Sequence, residues 1–194
     1  MSHYIYVHTK MKSIDEILVE KLKGGDRGAQ QELYNLYAAT LMAIAMRYLG
    51  ERSTAEDMLH DAFIKIFHSI GTFKYRGSGS LKAWMCRIMV NISLEQLRRN
   101  RNKTLSLDSM GGNIEIEAEP IIEASRVPQE RLLEFVAELP PGYRTVFNLF
   151  CIEGYSHREI ARELNINEKS SSSQLLRAKR ILADKIKNYI ELHG

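Results

Sequence analysis

The chain has 194 residues, a net charge of +3, 44% hydrophobic residues and 26% charged residues. That suffices for one medium domain or two small ones around a buried core, with a charged fraction ordinary for a soluble globular protein. No apolar run approaches the roughly 18 residues of a membrane span, and the opening MSHYIYVHTK lacks a signal peptide's apolar segment.

Residues 1–10 read as a disordered extension, and Met11 offers an alternative start. Helix signals then dominate. Ser13 to Glu16 (SIDE) fits a capping box, and Gly24-Gly25 closes the short helix behind it. Asp26 caps a second helix, Arg27 to Leu49, with Leu33, Leu36, Tyr37, Leu41, Ile44 and Tyr48 at helical spacing and Gly50 as its stop. Ser53 to Glu56 (STAE) is expected to box a third helix running to Ile70. GTFKYRGSGS, residues 71–80, carries three glycines and reads as a loop. Ser80 caps a fourth helix ending near Lys103. Residues 104–127 hold five acids against Arg126 and read as an acidic, disordered linker, with a short strand at 113–116 as an option. Beyond Pro128, helices are expected over 129–138, 143–152, a boxed SHRE start at Ser156, and 168–190. Cys86 and Cys151 lie in apolar segments outside any metal or redox spacing and are expected as reduced, buried thiols of a cytoplasmic protein.

The last two helices flank the turn Asn165-Ile166-Asn167, the pattern of a helix-turn-helix. Four serines, Ser170 to Ser173, follow Asn167, a good N-cap. Leu175, Ala178, Leu182, Ile186 and Tyr189 mark the packing face, and Lys169, Ser172, Ser173, Leu176, Arg177 and Arg180 the opposite one. Small hydroxyls in the first turns allow close approach to a major groove, and a helix N-terminus favours phosphate. The loop sets Phe73, Lys74, Tyr75 and Arg76 side by side, the residue types that hold unstacked bases. No phosphate loop, zinc-protease motif or metal spacing occurs, so no enzyme chemistry, metal or cofactor is expected.

Two stretches carry a family resemblance. LPPGYRTVFNLFCIEGYSHREIARELNINEKSSSSQLLRAKRIL has Leu139-Pro140, Arg144, Gly154-Tyr155-Ser156, Glu159-Ile160-Ala161 and Arg177-Ala178-Lys179. AEDMLHDAFIKIFHSIGTFKYRGSGSLKAWMCRIMVNISLEQLRR has the Ala-Glu-Asp start, Phe63, Phe67 and Trp84. In this order they resemble region four and region two of bacterial sigma factors of the extracytoplasmic-function group, in the sigma-70 family. The resemblance implies an all-α chain of two helical domains: region two over 11–103, an acidic linker over 104–127 that threads the polymerase near the RNA exit path, and region four over 128–194. It departs from the family at Lys169, Ser171, Ser172 and Gln174, where members often carry glycine, valine and two basic residues. Promoter preference therefore does not carry over.

The resemblance assigns roles. Lys169, Ser172, Ser173, Leu176, Arg177 and Arg180 read the minus-thirty-five element, Arg177 foremost. Phe73, Lys74, Tyr75, Arg76 and Ser78 hold a flipped base of the melted strand, Phe73 being partly core. Lys82, Arg87, Asn91, Arg98 and Arg99 contact DNA at the minus-ten element, joined by Arg101 and Lys103. Asp57, Asp61 and Ile64 dock on the clamp of the polymerase large subunit. Implied partners are core RNA polymerase, at its clamp and flap, promoter DNA, and an anti-sigma factor, often membrane-anchored; no small-molecule substrate is implied. A stand-alone helix-turn-helix regulator and an interaction module without DNA binding are the alternatives.

Overall fold

The computed structural model describes residues 12–103 and 124–193, and among these every regular element is helical. The N-terminal extension, the option of a strand at 113–116, most of the linker and the side chains of Arg101 and Lys103 lie outside the described residues.

The first unit comprises α1 (Ile14–Lys23), α2 (Arg27–Leu49), α3 (Arg52–Ser69), a short tight turn of helix over Ile70–Thr72, and α4 (Ser80–Lys103). Ser13 accepts from the Glu16 amide and Asp26 from the Ala29 amide, so α1 and α2 start where the caps are placed. Gly50 ends α2 at φ 75°, a left-handed value that costs glycine little. The Ser53 box does not form. Helix α3 begins two residues earlier, at Arg52 with Glu51 at the cap position, and the Ser53 and Thr54 hydroxyls donate to the Glu51 carboxylate. Those bonds hold the Glu51 carboxyl below its usual range, and its charge sits against the helix N-terminus. Helix α2 packs against α3 and α4, burying Leu33, Leu41, Ala45 and Tyr48 completely, while Leu36 lies outside the core at 54% exposure. Burial pushes the Tyr48 phenol well above its ordinary pKa.

The second unit comprises a tight turn over Ala124–Arg126, α5 (Gln129–Ala137), α6 (Pro141–Phe147), α7 (His157–Leu164) and α8 (Glu168–His193). Val127 is buried with Phe135 and Leu182, so packed structure starts ahead of Pro128. Helix α6 starts at Pro141, two residues before the expected Tyr143, because proline suits the first helical position. Over Asn148–Ile152 it widens to bonds spanning five residues, the Glu153 amide donating to the Asn148 carbonyl at 3.0 Å. Cys86 is half-buried and Cys151 exposed, so only the segments around them, not both thiols, are interior.

The two units meet. Val146, Leu149, Ile160 and Leu175 join the same buried cluster as α2 to α4. The last turn of α2 is gripped from α6: Arg144 Nη2 donates to the Leu49 carbonyl at 3.1 Å, and Asn148 Nδ2 to the Arg47 carbonyl at 2.9 Å. Arg144 Nη1 also donates to Ala137 O, so one buried guanidinium closes the C-terminal ends of α2 and α5. Burial lowers its pKa from the usual arginine value. An Arg47–Glu153 ion pair completes the seam.

Candidate nucleic-acid and polymerase interfaces

Helix α7 opens with a full capping box: Ser156 Oγ accepts from the Glu159 amide while the Glu159 carboxylate accepts from the Ser156 amide. Both Ser156 donors hold the Glu159 carboxyl below its usual range. Asn165 makes the turn at φ 52°, a left-handed position asparagine tolerates, and Asn167 Oδ1 accepts from the Ser170 amide at 2.6 Å to start α8. The serines thus lie in the first two turns of α8. They differ in role. Ser171 is fully buried, its hydroxyl 2.9 Å from His157 Nδ1, and that imidazole stacks on Phe150 at 4.5 Å. Ser172 is exposed, and half-buried Ser173 donates to the Ser170 carbonyl.

Ala178, Leu182 and Ile186 bury the inner face of α8, as the spacing predicts, and Ser171 belongs to it too. Lys169, Ser172 and Arg180 are exposed; Leu176 and Arg177 are half-buried, and Arg177 Nη1 donates to the Tyr143 hydroxyl at 3.3 Å. Tyr143 is a positioning contact that the helical period of α8 alone does not reveal.

In the loop, Lys74, Arg76 and Ser78 are exposed and Tyr75 is half-buried. Phe73 takes the core part of its expected role. At 8% exposure it lies under Trp84, ring centroids 4.7 Å apart, and offers no face to a base. The reason is hydrophobic: a fully apolar ring beside Trp84 gains more from burial than from water. Gly77 (φ 116°) and Gly79 (φ 79°) shape the loop tip.

On α4, Arg87, Asn91 and Arg98 are exposed and, at spacings of four and seven, share one face. Lys82 is exposed in the first turn on a different face. Arg98 lies 3.6 Å from Glu163 of α7. Arg99 turns the other way, bonded to Glu95 at 2.6 Å, and lines a cleft between α3 and α4.

That cleft, about 380 Å³, is lined by Asp61 and Ile64 together with Met58, His68, Ile92 and Gln96. Asp57 is exposed one turn ahead of Asp61 on the same face. The α4 wall of the cleft was not readable from α3's pattern; only packing brings Ile92 and Gln96 there. Among the described residues no group of three or more His, Cys, Asp or Glu is placed to hold a metal, and no helix is long and apolar enough to cross a membrane.

Family models match two stretches: Sigma-70 region 2 over residues 33–103 and Sigma-70, region 4 over residues 129–182, together more than half of the chain. The ECF RNA polymerase sigma factor BldN of Streptomyces coelicolor is 29% identical over 170 residues, 86% of this chain and 63% of that one. The ECF RNA polymerase sigma-E factor of Haemophilus influenzae is 27% identical over 182 residues, 89% of this chain and 95% of that one. Among solved structures, CnrH in complex with the cytosolic domain of CnrY aligns over 89% of this chain and 96% of that one, at 22% identity and a TM-score of 0.45.

Proposed function

The chain belongs to the sigma-70 family, in its extracytoplasmic-function group, and we propose that it directs core RNA polymerase to promoters and starts transcription there. The observation that carries this is the pairing, on one chain and in this order, of a region 2 unit and a region 4 helix-turn-helix. It contributes specificity and strand capture, and no bond-forming chemistry of its own. It works in the cytoplasm with core polymerase and promoter DNA, under an anti-sigma protein.

Lys169, Ser172 and Arg180 reach the minus-thirty-five element directly, and Arg177 reads it from the edge of the same face. Arg87, Asn91 and Arg98 face minus-ten DNA, with Lys82 at the helix start, while Lys74, Tyr75, Arg76 and Ser78 hold the melted strand. Phosphate contacts of this kind release counterions, so binding falls steeply with salt. Asp61 and Ile64, with Asp57 beside them, dock on the polymerase clamp through the α3–α4 cleft, whose Arg99 serves docking better than DNA.

The closed arrangement has to open on the promoter. The two elements are centred about 25 base pairs apart, roughly 85 Å of B-DNA at about 3.4 Å per pair. Yet Arg98 of the minus-ten helix and Glu163 of the helix-turn-helix stand 3.6 Å apart. Helix α8, with 26 residues, spans only roughly 39 Å.

Run-off transcription with purified bacterial core polymerase tests the proposal, using genomic fragments that include this gene's own upstream region. Discrete starts that require this protein are the expected result. Failure to bind core, with template bound by the free protein, would overturn it in favour of a stand-alone regulator.

A further inference from the structure

Helix α1 precedes the stretch matched by the region 2 family model, which begins at residue 33. Its packing points to a role. Besides α2, it contacts the tight turn at Ile70–Thr72 that leads into the base-holding loop. Two of its polar groups grip that loop. Ser13 Oγ shares a hydrogen bond of 2.5 Å with the Tyr75 hydroxyl. Lys23 Nζ donates to the Phe73 carbonyl at 2.6 Å. The two residues sit at opposite ends of α1, so the helix acts as a bar fastened at both ends across residues 73–75.

The rest of the loop is tied from α4. The Arg76 amide donates to Ser80 Oγ, and Ser80 Oγ to the Gly77 carbonyl at 2.7 Å. Phe73 is sunk against Trp84. Lys74 and the tip around Ser78 have no such tie among the described residues. A loop that captures an unstacked base otherwise loses backbone and side-chain freedom on binding; holding it in one conformation beforehand removes that cost.

We propose that Ser13 and Lys23 of α1 are positioning residues for capture of the melted minus-ten strand, acting through Tyr75 and the Phe73 carbonyl. This rests on the reading of the loop as the strand-capturing element. The Ser13 bond fixes the Tyr75 ring by its hydroxyl end and leaves that ring half-buried, so one part packs on the core while the rest can stack. The Lys23 bond fixes the backbone from which that ring projects.

The test uses holoenzyme reconstituted with core polymerase. Its probe is fork DNA built from the strongest run-off promoter, with the minus-ten non-template strand already single-stranded. Tyr75→Phe keeps the ring and removes only the hydroxyl; Lys23→Met removes the ammonium and Lys23→Arg returns a donor. Tyr75→Ala tests the loop itself. Each lost bond is expected to weaken fork binding about fivefold, from the usual worth of one net hydrogen bond. Lys23→Arg restores it, and core affinity and upstream duplex contact stay unchanged. The salt slope of Lys23→Met stays at the wild-type value, whereas loss of a direct phosphate contact would lower it by about one. If Tyr75→Ala cripples fork binding while Tyr75→Phe and Lys23→Met match wild type, the loop reading stands and the role of α1 falls. If Tyr75→Ala is silent, both fall. A lower salt slope for Lys23→Met, or an equal loss of core affinity in every variant, also overturns it.

Discussion

Glu153→Gln offers the cleanest probe of how the two halves are held together. The Arg47–Glu153 ion pair joins α2 to the end of α6 across the seam, with side chains 16% and 22% exposed. Removing one member of a fully buried pair costs about 3–5 kcal/mol, because the other charge is left uncompensated. Partial exposure lets water screen what remains, which brings the expected cost toward about 2 kcal/mol. That shifts the open-to-closed ratio about thirtyfold. Beside its apolar contacts the seam holds polar atoms: Arg47 Nε, Tyr48 Oη, Arg144 Nε and Asn148 Oδ1 are buried there without a hydrogen bond to the described residues. Such polar content suits the opening proposed above. The assay is fluorescence transfer between dyes at Glu32 and Lys187, both exposed, one on each unit, in a chain lacking other cysteines. Transfer is expected to fall in Glu153→Gln and to recover when the charges are exchanged as Arg47→Glu with Glu153→Arg. Unchanged transfer, with the circular dichroism of a folded protein, would refute the reasoning and assign closure to the apolar contacts alone.

Phe73→Ala is expected to cost about 3 kcal/mol in thermal unfolding, since the ring is buried against Trp84; an unchanged midpoint would return Phe73 to the surface. Asn167→Ala removes the cap of α8 and is expected to cost about 1 kcal/mol, read as faster hydrogen exchange at the Ser170 amide; unaltered protection would contradict it. Because Ser156 lowers the Glu159 carboxyl in the folded state, that group adds stability above its unfolded pKa of about 4.3 and loses it as pH falls through the lower folded value. Glu159→Gln should therefore flatten the acid limb of the thermal midpoint measured between about pH 3 and 6; an unaltered limb would remove the capping box from the account. Asp61→Arg is expected to weaken core polymerase binding at least about tenfold while leaving the helical signal intact, and equal affinity would move the docking surface off α3.

Local chemistry was legible wherever one segment contained its own answer. The caps at Ser13, Asp26, Ser156 and Asn167 were readable because a cap bonds within three residues of itself. The inner face of α8 was readable because burial repeats with the helical turn. Ser53 misled for a related reason: a box motif also arises where a neighbouring carboxylate, here Glu51, takes the hydroxyls instead. Leu36 kept the right period and still points outward, since a period names a face but not what covers it.

The all-helical class, the helix-turn-helix and the family thus rested on periodicity, caps and short motifs, all of them properties of order along the chain. Tertiary structure alone decided which candidate groups are available. It buried Phe73 under Trp84, turned Arg99 into the α3–α4 cleft, tied Arg177 to Tyr143, and brought Arg144 onto the last turn of α2, 95 residues away. The physical reason is that a side chain's exposure and partners depend on which surfaces approach it through space. That information resides in the packing of distant segments and not in the spacing of neighbours.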